Sequence, residues 1–157
     1  MFLTEVLDRN SVAGPVSANS KRNALQIVAD LAERTLGAYG LEADAILQGL
    51  LEREKLSSTG VGQGVAVPHA ALPGLTRMHG VFIRLETPVS YEAIDDVPVD
   101  LIFALFAPED AGTEHLRALA KVSRILRQKE LREQLRQVDT ADALYALLNR
   151  TETSHAA

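Results

Sequence analysis

Apolar residues recur at helical spacing through Ala24, Leu25, Ile27, Val28, Leu31, Ala32 and Leu36. Asn19 and Ser20 precede this run as helix caps and Gly37 closes it, so the pattern predicts an amphipathic helix between them. A second helix is expected behind Asp44 as its cap. It turns Ile46, Leu47, Leu50 and Leu51 to the core and ends in the polar run Glu52 to Lys55. The pattern then changes period. Val65-Ala66-Val67 reads as a short buried strand that Pro68 stops, and Gly80 to Leu85 as a strand that Pro88 breaks. Val97 to Phe106 is the longest apolar stretch and is expected to be a central strand buried on both faces.

Pro108 and Gly112 bracket a loop, after which Thr113 is expected to cap a helix turning Leu116, Leu119, Ala120, Val122 and Leu126 inward. A short helix is expected around Glu130 to Gln137, and a last one, capped by Asp139 or Thr140, buries Leu144, Leu147 and Leu148. The chain is expected to fray from Thr151. Near the N-terminus, Ser11 to Val16 reads as a brief edge strand broken at Gly14-Pro15. Strands mixed with helices at this length predict one α/β domain over residues 1–157, with its core at about 3–150. Its mixed β-sheet is flanked by helices on both faces.

Composition narrows the function classes. The chain has 157 residues, 46% hydrophobic, with a net charge of -5. That balance argues against nucleic acid or an anionic membrane as the main partner. There is no cysteine, which removes thiolate chemistry and cysteine metal sites and suits a cytoplasmic location. No signal peptide or membrane-spanning run is expected.

The chemistry gathers around Gly60-Val61-Gly62-Gln63-Gly64-Val65-Ala66-Val67-Pro68-His69. Three glycines open backbone conformations closed to other residues, and Pro68 fixes the direction in which the chain delivers His69. A neutral imidazole offers a free nitrogen that can attack phosphorus at neutral pH without metal or cofactor. A phosphoryl group would then need fixed donors. Arg53 offers a planar fork, and Ser57, Ser58 and Thr59 lie nearby in sequence. His115, in the first turn of its helix, is disfavoured as an imidazolium by the helix dipole, a penalty that an arriving phosphoryl anion would reverse by about 1 kcal/mol. Each of these residues also has a bland reading: packed histidine, solvated arginine, loop hydroxyls. His79 and His155 read as loop and tail residues, and Asp95, Asp96 and Asp100 as turn formers. An apolar rim around His69 is expected from the loop Ala71 to Leu75.

Arg53-Glu54-Lys55 followed by Ser58 to His69 resembles the active-site signature of enzyme IIA proteins of the fructose/mannitol class in the phosphoenolpyruvate-dependent phosphotransferase system. Pro98 to Leu105 with Pro108, and Thr113-Glu114-His115-Leu116, resemble that family's central strand and second histidine helix. The segments Pro73-Gly74-Leu75 and Ala93 to Asp100 are similar to its nitrogen-related regulatory branch. The resemblance implies a phosphocarrier. His69 accepts phosphate on Nε2 from a phosphorylated HPr-like carrier, Arg53 and His115 stabilise it, and its presence controls regulatory targets such as potassium transport components or sensor kinases. Ala70-Ala71 departs from the more frequent Gly-Lys.

Four alternatives stay open. A sugar-transport enzyme IIA would use the same residues and pass phosphate to a fructose/mannitol IIB. An interaction module would never be phosphorylated, and its partners would ignore His69→Ala. A metal-dependent hydrolase would need a compact ligand motif that the histidines lack, and a serine hydrolase a Gly-x-Ser-x-Gly elbow that is absent.

Overall fold

The computed structural model describes residues 2–156, the side chains of 151–156 excepted. The chain begins with a one-turn helix α1 (Phe2–Val6) and strand β1 (Leu7–Val16). Two long helices follow, α2 (Lys21–Leu36) and α3 (Ala43–Leu56). Four strands come next: β2 (Gly60–Gly62), β3 (Val65–Ala66), β4 (His69–Leu72) and β5 (His79–Val89). Strand β6 (Val99–Pro108) leads into α4 (Thr113–Leu126), α5 (Lys129–Leu135) and α6 (Ala141–Ala156).

The six strands form one mixed sheet in the order β1-β5-β6-β3-β2, with β4 also pairing β6. β6 is its centre, antiparallel to β5 and parallel to both β3 and β4. Its side chains alternate between two cores, as the period-2 geometry of a strand requires. Ile102, Ala104 and Phe106 face the cluster built by α2 and α3. Leu101, Phe103 and Leu105 face the cluster built by α1, α4, α5 and α6. The expected mixed sheet with helices on both faces is thus observed, as is a central strand buried on both sides.

Local signals succeed where a side chain caps its own helix. Ser20 Oγ accepts from the Asn23 N–H at 3.0 Å at the start of α2, and Thr140 Oγ1 accepts from the Ala143 N–H at 3.1 Å near the start of α6. They fail where tertiary partners take over. Asp44 does not cap α3; Glu33 of α2 does, its Oε2 accepting from the Ala43 N–H at 2.6 Å. Thr113 is the first residue of α4, and Gly112 occupies the cap position without a side-chain bond. Leu116 and Ala120 face solvent, while Ala118 and Ile125 are buried in their place. β5 runs through Pro88 to Val89 with a register shift after Arg84. β1 likewise continues through Gly14-Pro15, because an edge strand leaves the proline nitrogen without a required partner. Helix α6 extends to Ala156, past Thr151 where fraying is expected; once nucleated, a helix adds one bond for each residue it fixes.

The glycine-rich segment is a close-fitting part of the sheet edge rather than an open loop. Gly60 lies so near the 91–97 segment that an added Cβ would stand 2.6 Å from Ala93 Cβ and 2.8 Å from its Cα. Gly60→Ala should therefore destabilise the protein by about 1–3 kcal/mol. Gly37→Ala, where no atom lies within 4 Å of the new methyl, should be close to neutral. Urea unfolding of both variants checks this, and equal midpoints would contradict it.

Candidate functional site

His69 enters the site through an interruption in the sheet. β3 pairs with β6 at Leu101 and Ile102, and β4 resumes the same pairing at Leu105. Val67 and Pro68 bridge the gap. Because Pro68 has no N–H to donate, the ladder breaks there, while its carbonyl still accepts from the Leu105 N–H at 3.0 Å. The chain pattern puts His69 at the end of a strand; it is the first residue of β4. Its register partner Leu105 belongs to the face covered by α4, so the imidazole shares that face.

Three groups define the ring's chemistry. Nδ1 lies 3.0 Å from the Val67 carbonyl, which can only accept, so Nδ1 carries the proton. Arg53, in the last turn of α3, donates from Nε to His69 Nε2 at 3.1 Å and from Nη1 to the Ser57 carbonyl at 2.9 Å. Nε2 therefore holds the lone pair. His115, from the first turn of α4, meets the His69 ring edge-on, with centroids 5.3 Å apart at 87°. Its own Nε2 is buried without a hydrogen-bond partner. The site thus brings together His69, His115 and Arg53 from three separate stretches of chain.

Burial favours the neutral form of both imidazoles. Burial lowers the His69 pKa from 6.5; the Val67 carbonyl opposes this and the Arg53 charge adds to it. Burial also lowers His115, with His69 contributing. Two neutral rings beside a guanidinium form a site ready for an anion.

The hydroxyls near Arg53 serve other ends. Ser58 Oγ donates to the Tyr91 carbonyl at 2.9 Å and accepts the Gly60 N–H at 3.1 Å. Thr59 is buried and bonded to Glu54 and to the Tyr91 hydroxyl. Ser57 contributes only its carbonyl, to Arg53. Of the loop expected to supply an apolar rim, Ala71 and Pro73 are exposed. Leu72 and Leu75 are buried, whereas Leu56, one turn beyond Arg53, and Leu116, adjacent to His115, are 80% and 67% exposed. Helical period alone would turn Leu116 to the core, whereas it faces solvent.

Asp95 is a turn former as expected, accepting the Gln63 and Val97 N–H groups at 2.9 and 3.1 Å. Asp100 instead forms an ion pair with Arg136, whose Nη2 also holds the Gln63 carbonyl at 2.7 Å. His79 is not a loop residue; it opens β5, buried against Tyr39, with Nε2 3.2 Å from the Tyr39 hydroxyl. The His155 side chain lies outside the described residues. Among the described residues no group of three or more His, Asp or Glu is placed to hold a metal ion, and no helix is long and apolar enough to cross a membrane.

Residues 5–151 match the family described as phosphoenolpyruvate-dependent sugar phosphotransferase system, EIIA 2. A nitrogen regulatory protein of Bradyrhizobium diazoefficiens is 41% identical over 148 residues, covering 94% of this chain and 95% of that protein. One from Escherichia coli is 40% identical over 151 residues, covering 96% and 91%. The crystal structure of nitrogen regulatory protein IIA-Ntr from Neisseria meningitidis superposes with a TM-score of 0.86 at 37% identity, over 94% of this chain and 99% of that one.

Two pH effects follow. His69, His79 and His115 all have pKa values below 6.5 in the fold, so the unfolded chain binds their protons more readily. Their contribution to stability is complete above about pH 6.5 and is lost as pH falls through the folded values. The urea midpoint should drop between about pH 7.5 and 5.5; a rise would contradict the assignment. Arg53→Ala should raise the His69 pKa, read by NMR titration, since the guanidinium lowers it.

Proposed function

Because the chain belongs to the EIIA 2 family of the phosphoenolpyruvate-dependent sugar phosphotransferase system, we propose that it is a regulatory phosphocarrier whose phosphoryl acceptor is His69. Domains of this family accept phosphate from HPr-like donors and pass it on. The names of the relatives support regulation as the use to which this chain puts the reaction. The observation that carries the reading is the His69 Nε2 lone pair, held between Arg53 and a second imidazole with an unused nitrogen.

The reaction is an exchange between two histidines. The lone pair on Nε2 attacks the phosphorus of a phosphohistidine on the donor, a new N–P bond forms, and the old one breaks with its electron pair returning to the donor's ring. His69 keeps its Nδ1 proton, which the Val67 carbonyl stabilises as the ring gains positive character. Arg53 must release Nε2 for the attack. Its N–H groups then meet the phosphoryl oxygens, where a charge-assisted bond is stronger than the one it gave up. The partnerless His115 Nε2, in the tautomer that places the proton there, donates to a phosphoryl oxygen, which removes the cost of its burial.

Leu56 and Leu116 flank the site residues and supply exposed apolar surface for a carrier that must dock and leave. Phosphate on His69 would place a dianion between them. That change of charge at a contact surface is how the phosphorylated and free forms would present different faces to regulatory targets, potassium transport components and sensor kinases among the kinds of protein that fit.

Incubation with phosphoenolpyruvate, enzyme I and the cognate HPr-like carrier should add one acid-labile phosphoryl group by intact mass. His69→Ala should add none. Arg53→Ala and His115→Ala should still accept it, but more slowly by on the order of a hundredfold for each lost donor. A chain that stays unmodified beside an active donor would instead be an interaction module, and rapid onward transfer to a fructose or mannitol IIB would make it a transport component.

A further inference from the structure

Glu54 stands where helix physics disfavours it. It occupies the last turn of α3, where the macrodipole opposes an anion, and its side chain is only 6% exposed. Three donors compensate the buried carboxylate: Lys21 Nζ at 3.0 Å, the Thr59 N–H at 3.0 Å and the Thr59 hydroxyl. Lys21 also lies 4.4 Å above the Tyr91 ring, and the Tyr91 hydroxyl is 3.2 Å from Thr59 Oγ1. Well-packed apolar residues often stabilise a fold as much as a buried ion pair does. Stability alone therefore gives no reason for a carboxylate here.

Its position in the hydrogen-bond network gives one. The Thr59 carbonyl accepts the Val67 N–H at 3.0 Å. The Val67 carbonyl faces Nδ1 of His69 at 3.0 Å. A continuous series of bonds thus runs from Glu54 through Thr59 and Val67 to one nitrogen of the imidazole, while the adjacent Arg53 holds the other. The strands between are very short, three residues in β2 and two in β3, so the sheet alone constrains the Val67 carbonyl weakly.

We infer that Glu54 is a positioning residue for His69: by fixing Thr59 it holds the Val67 carbonyl where it keeps the proton on Nδ1 and the lone pair on Nε2. Consecutive residues of one helix thereby control both nitrogens of the ring. This inference rests on His69 being the acceptor, but it concerns the unphosphorylated protein and is measured there.

The test is the tautomer of His69, read from the 15N shifts of its ring nitrogens at neutral pH. It is made in an Arg53→Ala background, because the guanidinium independently opposes a proton on Nε2. Arg53→Ala alone should retain Nδ1–H. Adding Thr59→Val should move the tautomer ratio about fivefold towards Nε2–H, as loss of one hydrogen bond's worth of free energy would. Adding Thr59→Ser should restore the Nδ1–H form, and Glu54→Gln should resemble Thr59→Val. If Glu54→Gln does not fold, the Thr59 pair decides alone. An unchanged ratio in folded Thr59→Val, or no rescue by Thr59→Ser, would overturn the inference and leave Glu54 a residue of the fold only. Failure of the wild type to accept phosphate would instead strike the acceptor reading and leave the tautomer result standing.

Discussion

A carbonyl and a guanidinium hold the His69 imidazole from opposite sides. His69 has a carbonyl at Nδ1 and a guanidinium at Nε2, and neither can exchange roles with the other. The ring therefore has a single tautomer, a single orientation and a lowered affinity for protons. Each feature favours a nucleophile at neutral pH. Each also requires a distinct part of the chain to be in place: the last turn of α3, the Val67-Pro68 interruption between β3 and β4, and the first turn of α4.

The sheet supplies the fixed frame for these parts. β6 packs both faces, so its register with β4 at Leu105 is set by two cores at once. A slip of one residue would send Ile102, Ala104 and Phe106 to the wrong side. The less regular edge is secured by polar clasps. Gln63, in a left-handed conformation at the turn, is held at its N–H by Asp95 and at its carbonyl by Arg136, which Asp100 orients through both carboxylate oxygens. Gly64 leaves the space that the Arg136 guanidinium fills. The glycines thus serve close approach to neighbouring groups as much as turning.

The legible part of the sequence was the part governed by short-range chemistry. The Ser20 cap, the period of α2 and the apolar run of β6 each declare themselves within a few residues, and the motif around Arg53, His69 and His115 identifies the groups that the structure brings together. What was not legible depends on partners distant in the chain. Lys21, Glu54, Thr59 and Tyr91 form one network that runs from the half-buried Lys21 to the buried Tyr91, yet each alone looks like an ordinary surface or loop residue. Glu33 caps a helix that begins ten residues after it. Pro88 does not end β5, which continues to Val89 across a register shift after Arg84. Leu116 turns outward because α4 presents Ala118, Val122 and Ile125 to the core, a choice among adjacent faces that period alone could not make.

In this mechanism the attacking atom is Nε2 of His69. The most direct measurement is one-bond coupling between phosphorus and nitrogen in protein labelled with 15N in its histidine rings and phosphorylated through its donor chain. Coupling is expected to Nε2 of His69 alone. Coupling to Nδ1, or to a ring nitrogen of His115, would contradict it.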